Sequence, residues 1–234
     1  MRRALAFLTP LGGPSVPDHR TLSWFPVVGA LIGLVVGSTW WGASELWPPA
    51  VAAAIVVAVD LGLTGLLHAD GLIDSADGLL PQVPRDRRLA IMAEPTVGAY
   101  GVIAAVVVLL LRYAALASMR PSVLLVAGVW CGARTVMAVT ARAVAYARPG
   151  GGLATAMLGG DWRPVGLYGL ILAVSLGAFA RGRQSELAVA VGMLAGAGLV
   201  VAARRRLGGF TGDVLGAAGM VTETVALLVA AARW

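Results

Sequence analysis

The chain has 234 residues, of which 59% are hydrophobic and 13% are charged, and its mean hydropathy is +0.84. Because a soluble domain has about 25% charged residues, this composition excludes an ordinary soluble protein and predicts a membrane protein whose length suits a single domain over residues 1–234. All 18 basic residues are arginines, and the absence of lysine excludes lysine Schiff-base chemistry and a lysine-type phosphate-binding loop.

The predicted elements, taken in chain order, begin with a short apolar stretch after Arg2 and Arg3. It ends at Pro10 and is shorter than the apolar core of a usual signal peptide, so we expect no cleavage. Seven longer apolar segments follow, and each reaches or approaches the roughly 20 residues that cross a bilayer. They predict an all-α, polytopic integral membrane bundle of about seven transmembrane helices, with six or eight as alternatives. The predicted spans are residues 24–47, 49–67, 98–119, 121–147, 164–180, 187–203 and 214–232.

The arginines outside these spans predict the orientation of the protein. When alternate loops are assigned to two sides, most arginines fall on the side of the N-terminus, and the positive-inside rule makes that side cytoplasmic. We therefore expect a multi-pass protein of the cell inner (cytoplasmic) membrane, and the net charge of +6 does not imply nucleic-acid binding. The first side has Arg2, Arg3, Arg20, Arg85, Arg87, Arg88, Arg148, Arg163, Arg204, Arg205 and Arg206, and the second has Arg120, Arg181, Arg183 and Arg233.

The most informative motif follows the second predicted span. It begins at His68, reads His-Ala-Asp-Gly-Leu-Ile-Asp-Ser-Ala-Asp-Gly, and contains Asp70, Asp74 and Asp77. On a helix, positions i, i+4 and i+7 share one face, where three carboxylates repel each other unless a cation lies between them. Such oxygen ligands suit Mg²⁺, which binds carboxylates together with waters and substrate phosphates. We predict a magnesium-dependent phosphoryl transferase with a cytoplasmic active-site loop at about residues 68–97.

His68 has several possible roles next to these carboxylates. It could be a metal ligand, a base or a phosphate donor, or an interfacial side chain bonded to the backbone. The sequence alone does not choose between these roles.

Two further segments on the same side contain residues that suit phosphate. A Gly-Gly-Phe-Thr-Gly-Asp sequence precedes the last span and offers a tight turn, Thr211 as a hydroxyl or helix cap, and Asp213 near a helix N-terminus. A Tyr-Ala-Arg-Pro-Gly-Gly-Gly sequence containing Arg148 follows the fourth span. Arginine runs beside spans are also explained as topology signals. The residues predicted to hold a diphosphate, a guanosine or a second metal are Arg148, Arg206, Thr211 and Asp213.

Several ionisable residues fall inside the predicted spans. Such residues are costly in a membrane and are functional candidates by default, so Arg134 is predicted to contact substrate. Arg142 lies nearer a span end and could extend to the membrane surface. Asp60 could pair with either arginine, and Glu223 raises the same question. The single cysteine, Cys131, excludes an internal disulfide.

Together these motifs resemble the cobalamin synthase family, also called the adenosylcobinamide-GDP ribazoletransferase family. The resemblance covers nearly the whole chain in order, and its most specific parts are the acidic motif and the closing Thr-Gly-Asp-x-Leu-Gly-Ala-Ala. The matching segments are residues 6–9, 25–29, 67–78, 87–88, 91–92 and 97–101, then Arg134, then residues 146–148 and 208–218.

The resemblance implies an integral membrane enzyme of late vitamin B12 assembly. Such enzymes join adenosylcobinamide-GDP to α-ribazole, or to its 5′-phosphate, and release GMP, with Mg²⁺ as the expected cofactor. We predict that Asp70, Asp74 and Asp77 bind one or two Mg²⁺ ions and that Asp77 or His68 helps to deprotonate or orient the ribazole hydroxyl. Membrane lipid is the expected surrounding, and a homo-oligomer is left open.

The chain departs from the family pattern at two places. Pro10 stands where the family usually has an arginine. In the stretch that ends at Thr96, Glu94 keeps a carboxylate, but the arginine that the family usually has before the glycine is absent.

Three alternative functions remain open at this stage. The acidic motif also resembles that of CDP-alcohol phosphotransferases, but Leu79 and Leu80 stand where that family has Ala-Arg. A cation transporter would place its carboxylates near the membrane midplane between repeats, and no repeat is visible. An assembly scaffold would tolerate the loss of the aspartates.

Overall fold

The structure is a computed structural model that describes residues 1–148 and 153–232. The glycine-rich stretch 149–152, with Arg233 and Trp234, lies outside the described residues. Across the described residues the fold is all-α, as predicted, with ten α-helices, short 3-10 turns and no strand. The α-helices are α1 (Arg2–Leu8), α2 (Phe25–Leu46), α3 (Pro49–Leu63), α4 (Leu67–Leu79), α5 (Arg85–Ile91), α6 (Ala99–Ser118), α7 (Val123–Ala143), α8 (Trp162–Arg181), α9 (Arg183–Leu207) and α10 (Gly212–Ala231).

Six of these helices, α2 and α6 to α10, are long and apolar enough to cross a membrane. α3 and α4 meet the same criterion only as a pair, and they are bent by 89° at the break between them. Counting the pair as one broken span gives seven, so the prediction of a polytopic helical membrane protein with about seven spans is confirmed. The predicted boundaries differ most from the structure at α7, which ends at Ala143, and at α9, which extends to Leu207.

The predicted active-site loop over residues 68–97 is largely helical in the structure. Most of it forms α4 and α5, and α4 packs against α6 and α10. The reason is that the acidic residues occupy only part of the α4 surface. Its small and apolar residues, including Gly71, Leu72 and Ala76, are buried against the neighbouring helices.

The chain turns between α3 and α4 because two consecutive residues have left-handed backbone conformations. Gly65 has a φ of 58° and Leu66 a φ of 61°. Glycine adopts this conformation readily, whereas a leucine pays roughly 1 kcal/mol or more for it. Thr64 ends α3 by donating its hydroxyl to the Asp60 carbonyl at 2.9 Å. The turn directs the acidic helix away from the α3 axis and onto α10.

α7 lies at the centre of the bundle, and most of its residues are buried. α2 packs along it through Gly29, Gly33 and Gly37. A Cβ added to Gly33 would lie 2.7 Å from the Cα of Ala127, so only a glycine permits this helix separation. The spacing of four residues is typical of close helix packing in membranes.

Four charged residues in the middle of the bundle form what we call the buried ionic network: Asp60, Arg112, Arg134 and Glu223. Arg112 donates to Asp60 Oδ2 at 2.6 Å and to Glu223 Oε2 at 2.5 Å, and Arg134 also pairs with Glu223. Trp130 Nε1 donates to the other Asp60 oxygen at 2.8 Å. Asp60 therefore forms its ion pair with Arg112, and not with Arg134 or Arg142, the two possible partners that the sequence left open. The network joins α3, α6, α7 and α10 and balances two positive with two negative charges.

Candidate active site

The acidic helix α4 carries Asp70 and Asp74 one turn apart on one face, as the sequence predicted. Asp70 is exposed, and Asp74 is half-buried. The adjoining face packs against the start of α10, where a Cβ added to Gly71 would lie 2.7 Å from the main-chain oxygen of Asp213. Glycine at position 71 therefore lets the two helices approach closely enough to bring a third carboxylate to the acidic face.

Asp213 supplies this third carboxylate. Asp74 interacts electrostatically with Asp213, Asp70, Arg148 and Asp77. Arg148 Nη2 donates to Asp213 Oδ2 at 2.7 Å, and Thr211 Oγ1 donates to the same oxygen at 3.1 Å. We call Asp70, Asp74, Arg148, Thr211 and Asp213 the polar cluster. It brings together residues from three of the motifs found in the sequence.

Main-chain hydrogen bonds between two loops hold the polar cluster together. The Phe210 N–H donates to the Ala145 carbonyl at 2.9 Å, and the Ala147 N–H donates to the Phe210 carbonyl at 2.8 Å. Thr211 then caps α10, because its Oγ1 accepts the Val214 N–H at 3.3 Å. The described parts of the two segments that the sequence predicted to bind phosphate thus lie side by side at the start of α10.

An aromatic pair covers this junction. The Tyr146 ring meets the Phe210 ring edge-on, with 5.3 Å between their centroids. Burial raises the pKa of the Tyr146 phenol above its ordinary value, so the side chain stays neutral near pH 7.

Asp77 has a different environment from the other two aspartates of its motif. Its side chain is buried and points at the start of α6, where its two oxygens accept the N–H groups of Gly98 at 2.8 Å and Gly101 at 2.9 Å. Free N–H groups at a helix N-terminus favour a carboxylate, and no α6 side chain supplies one. Asp77 therefore caps α6, although it is still close enough to Asp74 to interact with it electrostatically, and its role as a metal ligand stays a prediction.

His68 lies inside the bundle and not on the acidic face. It is 4% exposed, and among the described residues neither ring nitrogen has a hydrogen-bond partner. Its Cα would lie 3.2 Å from a Cβ added to Gly216 on α10, and it interacts electrostatically with Arg134 and Arg112. The structure does not bring His68 to the polar cluster, so its catalytic role stays a prediction.

Two of the predicted substrate-binding arginines also have other partners. Arg134 is 1% exposed and pairs with Glu223 in the buried ionic network. Arg206 donates to the Leu79 carbonyl at the end of α4. A cation at a helix C-terminus satisfies carbonyls that have no partner within the helix. Neither residue contacts the polar cluster through these bonds.

Two arginines to which the sequence analysis gave no role in the site also hold it in place. Arg85 Nε donates to the Leu207 carbonyl at 2.7 Å, and its Nη2 donates to the Ala147 carbonyl at 3.1 Å. Arg88 is buried and donates to the carbonyls of Gly78 and Leu79 at 2.9 and 2.8 Å. The signal that could have found them is the need for donors at the C-terminal ends of α4 and α9.

The stretch that departs from the family pattern lies at the edge of the site. Arg148 also donates to the Met92 carbonyl at 2.9 Å. Glu94 pairs with Arg87 at 3.0 Å, and both side chains are substantially exposed. Glu94 therefore lies on the surface of this segment. The segment is joined to Arg148 through the main-chain carbonyl of the preceding Met92.

The carboxylates of the polar cluster are a donor set that fits a hard cation. Asp70, Asp74 and Asp213 are close enough to repel one another. Among the described residues, Arg148 forms an ion pair with one of these carboxylates, that of Asp213. Within residues 1–148 and 153–232, no group of three or more His, Cys, Asp or Glu side chains is close enough to enclose a metal ion. Mg²⁺ does not require such a group, because it commonly binds one or two carboxylates plus waters and phosphates.

The fold and the site define a class of protein: a polytopic helical membrane protein with a carboxylate-rich polar site at one end of its bundle. The site lies where α7 and α9 end and where α10 begins.

Comparison with known proteins gives the family. The cobalamin-5-phosphate synthase profile matches residues 1–231. Three curated relatives named adenosylcobinamide-GDP ribazoletransferase illustrate the similarity. The protein from Chlorobium phaeovibrioides is 35% identical over 97% of this chain and 94% of its own length. The protein from Pseudomonas paraeruginosa is 39% identical over 97% and 96%, and that from Bradyrhizobium diazoefficiens is 36% identical over 99% and 93%. No solved structure matches the chain.

The chain belongs to the cobalamin-5-phosphate synthase family. The predicted family, the transferase class and the role in cobalamin biosynthesis are thereby confirmed. The family match favours none of the three alternatives, which were a lipid phosphotransferase, a cation transporter and a scaffold.

Proposed function

We propose that this chain transfers the adenosylcobinamide phosphate group from adenosylcobinamide-GDP to a hydroxyl of α-ribazole, or of its 5′-phosphate, and releases GMP. Support comes from the family match over residues 1–231 and from relatives that carry the name of this activity over nearly their whole length. In the reaction, the hydroxyl oxygen bonds to the phosphorus attached to cobinamide. The bond from this phosphorus to the oxygen retained by GMP breaks, and the hydroxyl proton passes to a base.

The observation that carries the proposal is the approach of the acidic helix to the start of α10. It sets Asp70 and Asp74 beside the Arg148–Asp213 pair, so carboxylates and a guanidinium share one site. Transfer between a diphosphate and a hydroxyl needs both kinds of group, because a highly charged substrate must be held and its charge balanced. A planar guanidinium such as that of Arg148 suits a diphosphate.

We propose Asp70 and Asp74 as the residues that hold Mg²⁺, with Asp213 next to them. When bound, Mg²⁺ would balance the charge of the phosphate groups during transfer. Arg148 would orient the diphosphate, and the α10 N-terminus capped by Thr211 offers a favourable end for an anion. Asp77 is a less suitable base than proposed from sequence, because both of its oxygens already accept main-chain hydrogen bonds.

A turnover assay on detergent-purified protein tests the reaction. Adenosylcobinamide-GDP and α-ribazole are supplied with and without Mg²⁺, and the products are identified by chromatography and mass spectrometry. We expect cobalamin and GMP to form in equal amounts and only with Mg²⁺. Absence of both products from folded protein would contradict the proposed reaction, and equal turnover in the presence of a chelator would contradict the metal.

We also propose that the site faces the cytoplasm from the inner membrane, as the arginine distribution predicts. Cysteine labelling tests this orientation, since the native Cys131 is buried and gives a low background. A cysteine introduced by Asp86→Cys, near the site, should react with a membrane-impermeant maleimide only after permeabilisation. One introduced by Glu45→Cys, at the other end of α2, should react in intact spheroplasts. The reverse pattern would overturn the orientation.

A further inference from the structure

A wedge-shaped groove lies between α8 and α9, and none of its lining residues comes from the acidic helix. The two helices are close near their connecting turn, where a Cβ added to Gly177 would lie 3.3 Å from the Ser185 carbonyl oxygen. Toward their other ends they separate, and α7 forms the floor between them. The groove has a volume of about 1170 Å³ and is lined almost entirely by apolar atoms.

Small residues explain why the two helices separate. α8 stays on α7, because a Cβ added to Gly128 would lie 2.8 Å from the Ala173 carbonyl oxygen. α9 instead follows α10, where a Cβ added to Gly192 would lie 2.5 Å from the Thr222 carbonyl oxygen. Each helix thus keeps a different neighbour, and the space between them widens toward the end of α9.

The wide end of the groove is apolar inside and positively charged at its rim. Leu167 of α8 and Leu194 of α9 line the two sides of the groove and are 63% and 71% exposed, respectively. Trp162 and Arg163 line the rim at the start of α8. Arg204 and Arg205 follow one turn beyond the α9 lining, and Asp161, which caps α8, is the acidic residue closest in sequence to this rim.

We propose that this groove binds an anionic phospholipid of the leaflet on the side of the acidic helix. Apolar walls within a membrane-spanning bundle suit an acyl chain, and basic pockets between transmembrane helices bind the phosphate head groups of anionic lipids. The planar guanidinium of an arginine at the rim can bond two phosphate oxygens at once. Its positive charge favours an anionic head group over a zwitterionic one. Trp162 is the first residue of α8, and tryptophans at the ends of transmembrane helices mark the membrane interface.

The groove is separate from the polar cluster and does not depend on the proposed reaction. None of its lining residues belongs to the polar cluster or to the buried ionic network. Lipid binding is therefore measurable without substrate.

Native mass spectrometry of the detergent-purified full chain tests the proposal. The probes are phosphatidylglycerol and phosphatidylcholine with identical acyl chains, titrated separately. Ala197→Phe places a large side chain in the groove, and Ala202→Phe is its matched control, because Ala202 is exposed on the same helix outside the lining. Arg163→Ala removes the rim cation of α8.

We expect the wild-type chain to retain phosphatidylglycerol in preference to phosphatidylcholine. Ala197→Phe should reduce the bound phosphatidylglycerol severalfold, whereas Ala202→Phe should not. Arg163→Ala should weaken phosphatidylglycerol binding about fivefold and leave phosphatidylcholine unchanged. Equal retention of the two lipids, or equal effects of the two phenylalanine variants, would overturn the proposal. A dimer that Ala197→Phe dissociates would show that a second copy occupies the groove instead.

Discussion

Three carboxylates at i, i+4 and i+7 on α4 have three different environments. Asp70 is exposed, Asp74 lies half-buried beside Asp213, and Asp77 is buried against the start of α6. Residue type and spacing made them equivalent in the sequence, whereas their neighbours make them different. Removing each one should therefore have a different measurable consequence.

Asp74→Asn tests the proposed metal ligand. The change keeps the size of the side chain but removes a charge from the polar cluster, so we expect at least a 100-fold loss of turnover with little change in melting temperature. The matched control is Asp86→Asn, because the Asp86 side chain is 95% exposed on α5. Near-normal turnover of Asp74→Asn, measured at saturating Mg²⁺, would contradict the assignment.

Asp77→Asn tests the capping role of Asp77. An amide presents one acceptor where the carboxylate presents two, so one of the two α6 N–H groups loses its bond and the fold loses about 1–2 kcal/mol. We expect a lower melting temperature in detergent, while binding of Mn²⁺, followed by electron paramagnetic resonance, is retained. Loss of Mn²⁺ binding with an unchanged melting temperature would instead support the original prediction of Asp77 as a ligand.

At the scale of elements, the site depends on how α4 and α10 meet. Arg88 and Arg206 hold the end of α4 by its carbonyls, and Arg85 joins the end of α9 to the Ala147 carbonyl. Gly71 sets the distance between α4 and α10. The position of the polar cluster is therefore a property of helix packing and not of α4 alone.

Gly71→Ala tests this dependence. The added Cβ would meet the main chain of Asp213, which cannot move without shifting α10, so we expect a clear loss of turnover even though alanine favours the helix by about 1 kcal/mol. Gly62→Ala is the control, because a Cβ there meets open space. If the two variants have equal turnover, the close approach of α4 and α10 is not required for activity.

At the scale of the whole molecule, the buried ionic network joins four helices in the apolar interior. Its members come from α3, α6, α7 and α10, and each is at most 5% exposed. Such pairs contribute little net stability when complete, but breaking one leaves a buried charge without compensation. The network therefore acts on stability mainly through its charge balance.

Glu223→Gln tests the charge balance. It leaves the network with two buried arginines and one carboxylate, Asp60, which pairs with Arg112. We expect a loss of about 3–5 kcal/mol, seen as a lower melting temperature in detergent. Glu45→Gln on the exposed end of α2 is the control. Adding Arg134→Gln to Glu223→Gln restores neutrality and should recover part of the loss. A double variant no more stable than Glu223→Gln would contradict this explanation.

Four features could be predicted from the sequence: the membrane class, the approximate spans, the helical placement of Asp70 and Asp74, and the family. Hydropathy and helix period are local properties, which a window of about 20 residues contains. The resemblance to the family needed only the identity and order of short motifs. These are the features that the structure and the comparisons confirm.

The tertiary structure decided which of the candidate residues meet. Arg148 and Asp213 are 65 residues apart, and Arg85 reaches Leu207 across 122, so no local pattern could pair them. The same long-range packing assigned Asp77 to α6, Arg134 to Glu223 and Arg206 to the end of α4. The chain also turns at Gly65 and Leu66, within the predicted second span. The sequence did not predict this turn, because apolar character carries no information about φ. Packing between distant helices therefore selects one arrangement from the many that the motifs alone permit.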